Sequence, residues 1–345
     1  MIVMMLLPRP SRRTLLSAAG LGAGAALLAA CGGESGAAEG RLSVVTSAYP
    51  LAYLVTRIGG EHVALVDLTS PGVDAHGLEL SIKQVLAVEQ ADLVLQIPGF
   101  QTALDDAIAS HGGDNVLDIS SVLTLLPAAA ATAHEEHSGQ SEEEHAEHAS
   151  DGGGDAPEGR EGHEGHEGHE GHDHGPDDPH LWHDPVRMAE LADAIGRRLG
   201  ELSPQNAQVF TDAATALRTE LEALDAELAE SFGAIEGEKA FITSHAAYAY
   251  LAERYELHQI GIAGVDPETE PSPQRLLALE SVVQEEEVTT IFFETSASPK
   301  VARTLARNLG LASQELDNLE TQQSPESDYP QVMRKNCAEL VASWT

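Results

Sequence analysis

The sequence predicts an α/β protein built from two lobes that are joined by a long helix. Residues 42–119 and again 239–344 alternate short apolar strand patterns with helical patterns, which is typical of crossover connections and parallel sheets. A strongly helical stretch separates the two alternating regions. A third observation concerns function, because eleven of the sixteen histidines lie within residues 134–183. Neutral imidazole is a common ligand of zinc and related metals, so the tract indicates a divalent transition metal.

The first lobe is expected to span residues 42–185. Its strands are predicted at 42–46, 63–68 and 93–97, its helices at 51–58, 81–90 and 104–110, and the pattern is interrupted after 116–119. A loop rich in His, Asp and Glu, at 129–176, interrupts this lobe. Its four Glu-Gly-His repeats cannot build a packed core, so we expect a disordered metal-collecting loop.

Residues 186–232 are predicted to form the long linking helix, because apolar residues recur there at three- and four-residue steps. Ser203 and Pro204 fit a helix cap followed by a proline in the first turn, so this segment is either two helices or one kinked helix. The second lobe is expected at 238–345. Its strands are predicted at 239–243, 258–263, 290–293 and 314–316, and its helices at 245–255, 273–285, 299–309 and 329–344.

The N-terminus has the features of an export signal. Residues 1–30 combine basic residues with an apolar run that is short for a membrane span, and the run ends in Leu28-Ala29-Ala30-Cys31-Gly32. This is the lipobox pattern of bacterial lipoproteins, in which Cys31 is lipidated, with 31–41 as a flexible tether. A transmembrane anchor is the alternative interpretation. Arg12-Arg13 also resembles a twin-arginine signal, so the export route stays open.

Cysteine content and charge restrict the possible functions. If Cys31 carries lipid, Cys337 is the only remaining cysteine, so no intrachain disulfide can form and a metal site must use His and carboxylates. The formal net charge is −37, and residues 134–178 contribute sixteen acidic residues and one Arg. Nucleic-acid binding is disfavoured, because phosphate contacts need a basic face. An acidic, His-rich surface attracts cations.

Three histidines outside the repeats, together with one aspartate, are candidate metal ligands. His76 and His245 follow predicted strands, Asp317 follows the strand ending at Leu316, and His180 stands where the His-rich tract ends. Ligands of parallel α/β sheets bind at the carboxyl ends of strands, and three imidazoles with one carboxylate complete a tetrahedral zinc shell. Each residue also has an ordinary alternative role: a helix cap, a solvated loop residue, a turn residue or part of the collecting loop.

The sequence resembles the metal-specific solute-binding proteins of ABC transporters, and most closely their zinc-binding branch. The resemblance covers about residues 42–345. The motifs that carry it are 70–76 (SPGVDAH), 178–185 (DPHLWHDP), 244–248 (SHAAY), 293–294 (FE), 298–300 (SPK) and 316–317 (LD). It implies two α/β lobes bridged by one long, rigid helix, with the metal held in the cleft between them.

The resemblance also implies the metal ligands His76, His180 and His245, with Asp317 in the fourth position. Manganese-binding relatives carry a glutamate where His245 stands, and imidazole suits zinc, so zinc is expected rather than manganese; copper and nickel could compete in vitro. The family's usual prolines are replaced by Ala75 before His76 and by Asn318 after Asp317, which leaves the local loop geometry open.

Two further residues near these motifs are not expected to be ligands. His183 stands at a variable family position; it could alternate with His180 at the metal, but we expect a solvated side chain. Glu294 resembles a recurrent glutamate near the cleft and is expected to orient a ligand or bind water.

The expected function is extracytoplasmic capture of Zn²⁺ and its delivery to a membrane permease driven by a cytoplasmic ATPase. The protein would be a monomer, lipid-anchored at Cys31 to the outer face of the bacterial cytoplasmic membrane, with no enzymatic activity. The alternatives are the same role for manganese or another divalent metal, and a surface metal-storage or adhesion protein. A zinc hydrolase is disfavoured, because no His-Glu-x-x-His helix is present.

Overall fold

Two parallel sheets of four strands each form the framework of the protein. The computed structural model describes residues 40–111, 113–128, 177–267, 271–294 and 300–345. The predicted signal peptide, Cys31 and the His-rich loop at 129–176 lie outside these residues. Among the helices in the described ranges, none is both long enough and apolar enough to cross a membrane.

The first sheet has the strand order β2-β1-β3-β4, and all neighbouring strands are parallel. Its elements are β1 (Leu42–Thr46), α1 (Tyr49–Gly59), β2 (Val63–Asp67), α2 (Ile82–Gln90), β3 (Leu93–Gln96), α3 (Thr102–His111) and β4 (Val116–Asp118). Helix α2 begins at a capping box, in which the Ser81 side chain accepts from the backbone N–H of Gln84 and the Gln84 side chain accepts from Ser81.

The second sheet has the equivalent order, β6-β5-β7-β8, and is also parallel throughout. Its elements are β5 (Ala240–Thr243), α6 (Ala249–Tyr255), β6 (His258–Gly261), α7 (Pro273–Glu285), β7 (Thr290–Glu294), α8 (Lys300–Leu309), β8 (Ala312–Leu316) and α9 (Tyr329–Ser343). The prediction of two parallel α/β lobes is confirmed. One boundary was wrong in a way that matters for the site: α6 begins at Ala249, so His245 lies in the preceding loop rather than in the helix.

The segment between the sheets contains two helices, α4 (Pro185–Leu202) and α5 (Ala207–Gly233), separated by a 3-10 turn at Pro204–Asn206. The Ser203 side chain forms no capping bond to that turn. The pairs Asp193–Arg218 and Gly196–Ala214 show that the two helices pack antiparallel, because residue numbers rise along one helix as they fall along the other. A Cβ on Gly196 would lie 2.8 Å from the Ala214 Cβ, so glycine permits this close packing.

Helix α5, with 27 residues, is the long helix of the fold and contacts both lobes. Its apolar side packs Leu221 and Leu224, both fully buried, into one hydrophobic cluster that also contains Val44 of the first sheet and Phe241 of the second. Burial of these side chains stabilises the fold by roughly 1.5–3 kcal/mol each. The two sheets therefore share a single core across α5.

Candidate metal centre

Four segments meet in the cleft between the two sheets, and three of them are loops that follow a strand. His76 lies in the loop after β2, and His180 lies in the segment between β4 and α4, directly before a 3-10 turn at Leu181–His183. The second lobe contributes His245, two residues after β5, and Glu320, four residues after β8. The carboxyl ends of parallel strands are where α/β proteins bind ligands, so the fold itself places these side chains together.

The four side chains offer one ligand atom each, and these atoms lie within 4.8 Å of one another. His180 Nε2 is 3.2 Å from His76 Nε2 and 3.4 Å from His245 Nε2. Glu320 Oε1 lies 3.3 Å from His76 Nε2, 3.7 Å from His180 Nε2 and 3.5 Å from His245 Nε2. A tetrahedral Zn²⁺ with ligands at about 2.0–2.1 Å requires ligand atoms about 3.3–3.4 Å apart. Five of the six separations, at 3.2–3.7 Å, are thus close to those of a tetrahedral zinc shell.

Burial makes this arrangement unfavourable without a cation. The Glu320 side chain is fully buried, and among the described residues its carboxylate has the three imidazoles of the site as its polar neighbours, 3.3–3.7 Å from Oε1. His180 and His245 are fully buried and His76 is nearly so. A buried carboxylate is costly unless an opposite charge compensates it. A divalent cation between the four atoms would supply that charge, so the donor set fits zinc.

Asp317, the predicted fourth ligand, is not part of this group. Its Oδ1 accepts a hydrogen bond from the backbone N–H of Leu319 at 2.9 Å, which closes a tight turn. Leu319 has φ of +62°, in the left-handed region, and the residue that follows it, Glu320, belongs to the group instead. The sequence does contain this acid, three residues after Asp317. Its role could not be predicted from residue types, because leucine rarely adopts the left-handed conformation that precedes Glu320 here.

Two buried carboxylates orient two of the imidazoles from behind. Asp178 Oδ1 lies 2.8 Å from His180 Nδ1 and also accepts from the His180 backbone N–H at 2.8 Å. Glu294 Oε1 lies 3.2 Å from His245 Nδ1 and accepts from the His245 backbone N–H at 3.2 Å. Carboxylates in this position select the tautomer that leaves Nε2 free for a metal. Glu294 is therefore placed to orient a ligand, as expected, and stays outside the four-residue group.

The ionisation of the site follows from these neighbours. Burial opposes the charging of His245, yet the Glu294 and Glu320 carboxylates raise its pKa to about 10. Burial likewise opposes the charging of His180, while Asp178 and Glu320 raise its pKa above the usual value. Burial lowers the pKa of His76 to about 4, with partial compensation from Glu320. The site without metal therefore favours protons on His180 and His245.

The loops carrying His76 and Glu320 have defined geometry although the two family prolines are absent. The Gln101 side-chain amide donates to the backbone oxygens of Ser47 and Ala75 at 2.8 and 2.9 Å, which ties the residue before His76 to β1's loop. The Asn318 backbone oxygen accepts from Trp182 Nε1 at 2.8 Å. Side-chain hydrogen bonds thus restrict the backbone at Ala75 and Asn318, the two positions where the family's prolines would do so.

His183 differs from the prediction, because it is fully buried rather than solvated. Its ring lies 4.4 Å from the Tyr248 ring, centroid to centroid, and the 3-10 turn that carries it packs against α6. It does not belong to the four-residue group. Burial lowers the pKa of His183 well below the usual value, so its ring is neutral. The packing against α6 is a long-range contact, which local sequence does not indicate.

Comparison with known proteins agrees with this site. The family model described as "Zinc-uptake complex component A periplasmic" (ZnuA) matches residues 44–343. The chain is 32% identical over 322 residues to the high-affinity zinc uptake system protein ZnuA of Bacillus subtilis, covering 90% of this chain and 91% of that protein. It is 30% identical over 329 residues to the zinc-binding lipoprotein AdcA of Streptococcus pneumoniae, covering 92% of this chain but only 58% of AdcA.

Solved structures show the same architecture. The laminin-binding protein Lmb of Streptococcus agalactiae, described as a bifunctional protein with adhesin and metal transporting activity, is 28% identical with a TM-score of 0.67, covering 88% of this chain and all of Lmb. A Zn(II)-bound mutant variant of AdcAII from Streptococcus pneumoniae is 25% identical with a TM-score of 0.68, covering 89% and 99%. Because the family model spans nearly the whole described chain, this protein belongs to the ZnuA family of periplasmic zinc-uptake components.

Proposed function

We propose that this protein captures Zn²⁺ outside the cytoplasm and delivers it to the permease of an ABC transporter. The observation that carries the proposal is the group of four ligand atoms, three imidazole Nε2 and Glu320 Oε1, at tetrahedral spacing in a buried cleft. Zinc is cargo here, held by His76, His180, His245 and Glu320, and no covalent step is required. Asp178 and Glu294 orient the rings of His180 and His245, which supports a site with one fixed coordination geometry.

The donor set favours zinc over manganese. Three neutral imidazoles and a single carboxylate suit zinc, whereas a harder ion such as Mn²⁺ prefers oxygen ligands. The names of the relatives from Bacillus subtilis and Streptococcus pneumoniae, which refer to zinc uptake and zinc binding, support the same metal. Copper would compete for these atoms in vitro, because divalent copper binds such ligands more tightly than zinc does.

The anchoring and the partner are proposed from sequence and family. The Cys31 lipobox and the lipoprotein name of AdcA support a lipid anchor on the outer face of the membrane. The chain spans little more than half the length of AdcA, so the full activity of AdcA is not assigned to this protein. We infer that a permease with a cytoplasmic ATPase receives the metal from a monomeric form of this protein.

The test measures zinc affinity in the full chain by competition with a chelator, so that weak sites do not register. Wild-type protein should hold one zinc ion tightly. The variants His76→Ala and His245→Ala should each weaken binding of that ion strongly, because each removes one ligand atom. Glu320→Gln should also weaken it, because the amide oxygen that replaces the carboxylate oxygen carries no negative charge. The matched control is His111→Ala, at an exposed histidine at the end of α3. Asp317→Asn, which keeps an Oδ1 acceptor for the Leu319 N–H, tests the predicted fourth ligand. The His111 control should bind as wild type does, and the Asp317 variant should keep most of its affinity.

Cellular growth separates capture from storage. If the protein delivers zinc, a His76→Ala/His245→Ala double variant should fail to support growth in zinc-limited medium. Normal growth with this variant would contradict the proposal and favour a storage or adhesion role that depends on the His-rich loop.

A further inference from the structure

The Glu320 carboxylate differs from the imidazoles in how it is held. His180 and His245 are each supported from behind by a carboxylate outside the four-residue group, whereas the polar contacts of the Glu320 carboxylate among the described residues are with the three imidazoles of the group itself. No described group outside the site therefore supports this carboxylate from behind. Its position must come from the backbone of the loop that carries it, which we call the 317–320 turn.

The 317–320 turn has an unfavourable conformation at its centre. Leu319 adopts a left-handed φ of +62° and is fully buried. Left-handed backbone in a residue with a large side chain persists only where surrounding contacts determine it. The structure supplies such contacts at each end of the turn.

Asn336 of α9 holds the beginning of the turn. Its Nδ2 donates to the Asp317 backbone oxygen at 2.6 Å, and its Oδ1 accepts from the Asp317 backbone N–H at 3.1 Å. These two opposed bonds fix the peptide groups on both sides of Asp317. The Asn336 side chain is almost fully buried, so water cannot replace either bond readily.

The remaining bonds carry this fixation forward to Glu320. Asp317 Oδ1 accepts from the Leu319 N–H at 2.9 Å, and Asn318 Oδ1 accepts from the Glu320 N–H at 3.4 Å. At the far end, the Glu320 backbone oxygen accepts from the Tyr49 N–H at 3.0 Å. The chain of contacts runs from Asn336 through the turn to the metal ligand.

We propose that Asn336 is a positioning residue for zinc binding: by clamping Asp317 it maintains the left-handed turn that points Glu320 into the site. It touches no metal and acts only through Glu320. The inference rests on the proposed function, because it assumes that Glu320 is a zinc ligand. It reassigns Asp317 from ligand to the clamped residue that closes the turn.

The experiment is a double-mutant cycle on the full chain, read as zinc affinity by chelator competition. Asn336→Ala should weaken binding by about 10- to 100-fold, the usual loss when an outer partner of a metal ligand is removed. In a Glu320→Ala background, the same substitution should cause little further loss, because the ligand it positions is gone. A purely structural role would not show this dependence.

Two further variants keep the result interpretable. Leu340→Ala removes a fully buried core side chain one turn along α9, and should lower the melting temperature without changing zinc affinity of the folded protein. Asn336→Asp retains volume and the acceptor for Asp317 N–H but loses the donor, and serves if the alanine variant does not fold. It should bind zinc more weakly than wild type.

The outcomes separate the two claims. If Glu320→Ala weakens zinc binding but the Asn336 variants bind as wild type, or if the losses simply add in the double variant, the positioning role is overturned while the zinc site stands. If Glu320→Ala itself binds zinc as tightly as wild type, the proposed site is wrong and the positioning role falls with it.

Discussion

Asp178 Oδ1 lies 2.8 Å from His180 Nδ1, and both side chains are fully buried. The same oxygen accepts the His180 backbone N–H, so one carboxylate fixes both the ring and the main chain of a residue two positions away. This local turn occurs where the low-complexity tract ends. It leaves Nε2 as the ring atom directed to the other ligands.

The first prediction concerns this pair. Asp178→Asn should weaken zinc binding by about 10- to 100-fold, because a neutral amide cannot support the ring's orientation and basicity as a carboxylate does. Zinc affinity by chelator competition measures the effect. Asp177→Asn, at the neighbouring acid, is the control and should bind like wild type. Equal affinities for the Asp178 variant and wild type would show that the orienting contact is dispensable.

The second prediction is proton release on zinc binding. Zinc binds only neutral imidazole. The pKa of His245 is raised to about 10 and that of His180 is also raised, so both are protonated in the metal-free site at pH values below their raised pKa. Binding must expel those protons, and zinc affinity should therefore rise with pH and fall on acidification. Calorimetry in buffers of different ionisation enthalpy should show more than one proton released per zinc ion at about pH 6.

The same ionisation has a consequence for the metal-free protein. A raised pKa in the folded state means that the contacts of protonated His245 with Glu294 and Glu320 stabilise the fold at low pH. That contribution is lost as the pH rises through about 10. A zinc affinity that does not change between about pH 6 and about pH 8 would contradict the prediction that zinc binding expels protons from His180 and His245.

The third prediction tests the buried histidine outside the ligand group. His183→Phe should leave zinc affinity within about twofold of wild type, because the ring belongs to an aromatic contact with Tyr248 rather than to the four ligands. A large loss of zinc affinity would instead indicate that His183 takes part in binding.

The fourth prediction separates the site from the collecting loop. Deletion of residues 134–174 should remove weak zinc binding and keep the tightest site, because the four residues of the proposed site all lie outside the deleted segment. A calorimetric titration should show fewer sites with the tightest one unchanged. Loss of the tightest site on deletion would mean that the loop supplies a ligand.

Much of this protein could be predicted from the chain alone. Alternating strand and helix patterns predict two parallel lobes, because helices between successive strands supply the crossover connections that parallel strands need. His76, His180 and His245 follow strands or end the His-rich tract, and the structure brings all three together at the carboxyl ends of the sheets. Local pattern and the geometry of parallel sheets predicted the lobes and made these histidines candidates, and the resemblance to metal-specific solute-binding proteins selected them as ligands.

Tertiary structure alone decided the rest. The fourth member of the group is Glu320 rather than Asp317, because a left-handed turn at Leu319, held by Asn336 from α9, redirects the chain. His183 is buried because its 3-10 turn packs against α6. Both outcomes depend on contacts between segments that are distant in sequence, and such contacts can override the conformation or exposure that a residue type would adopt by itself.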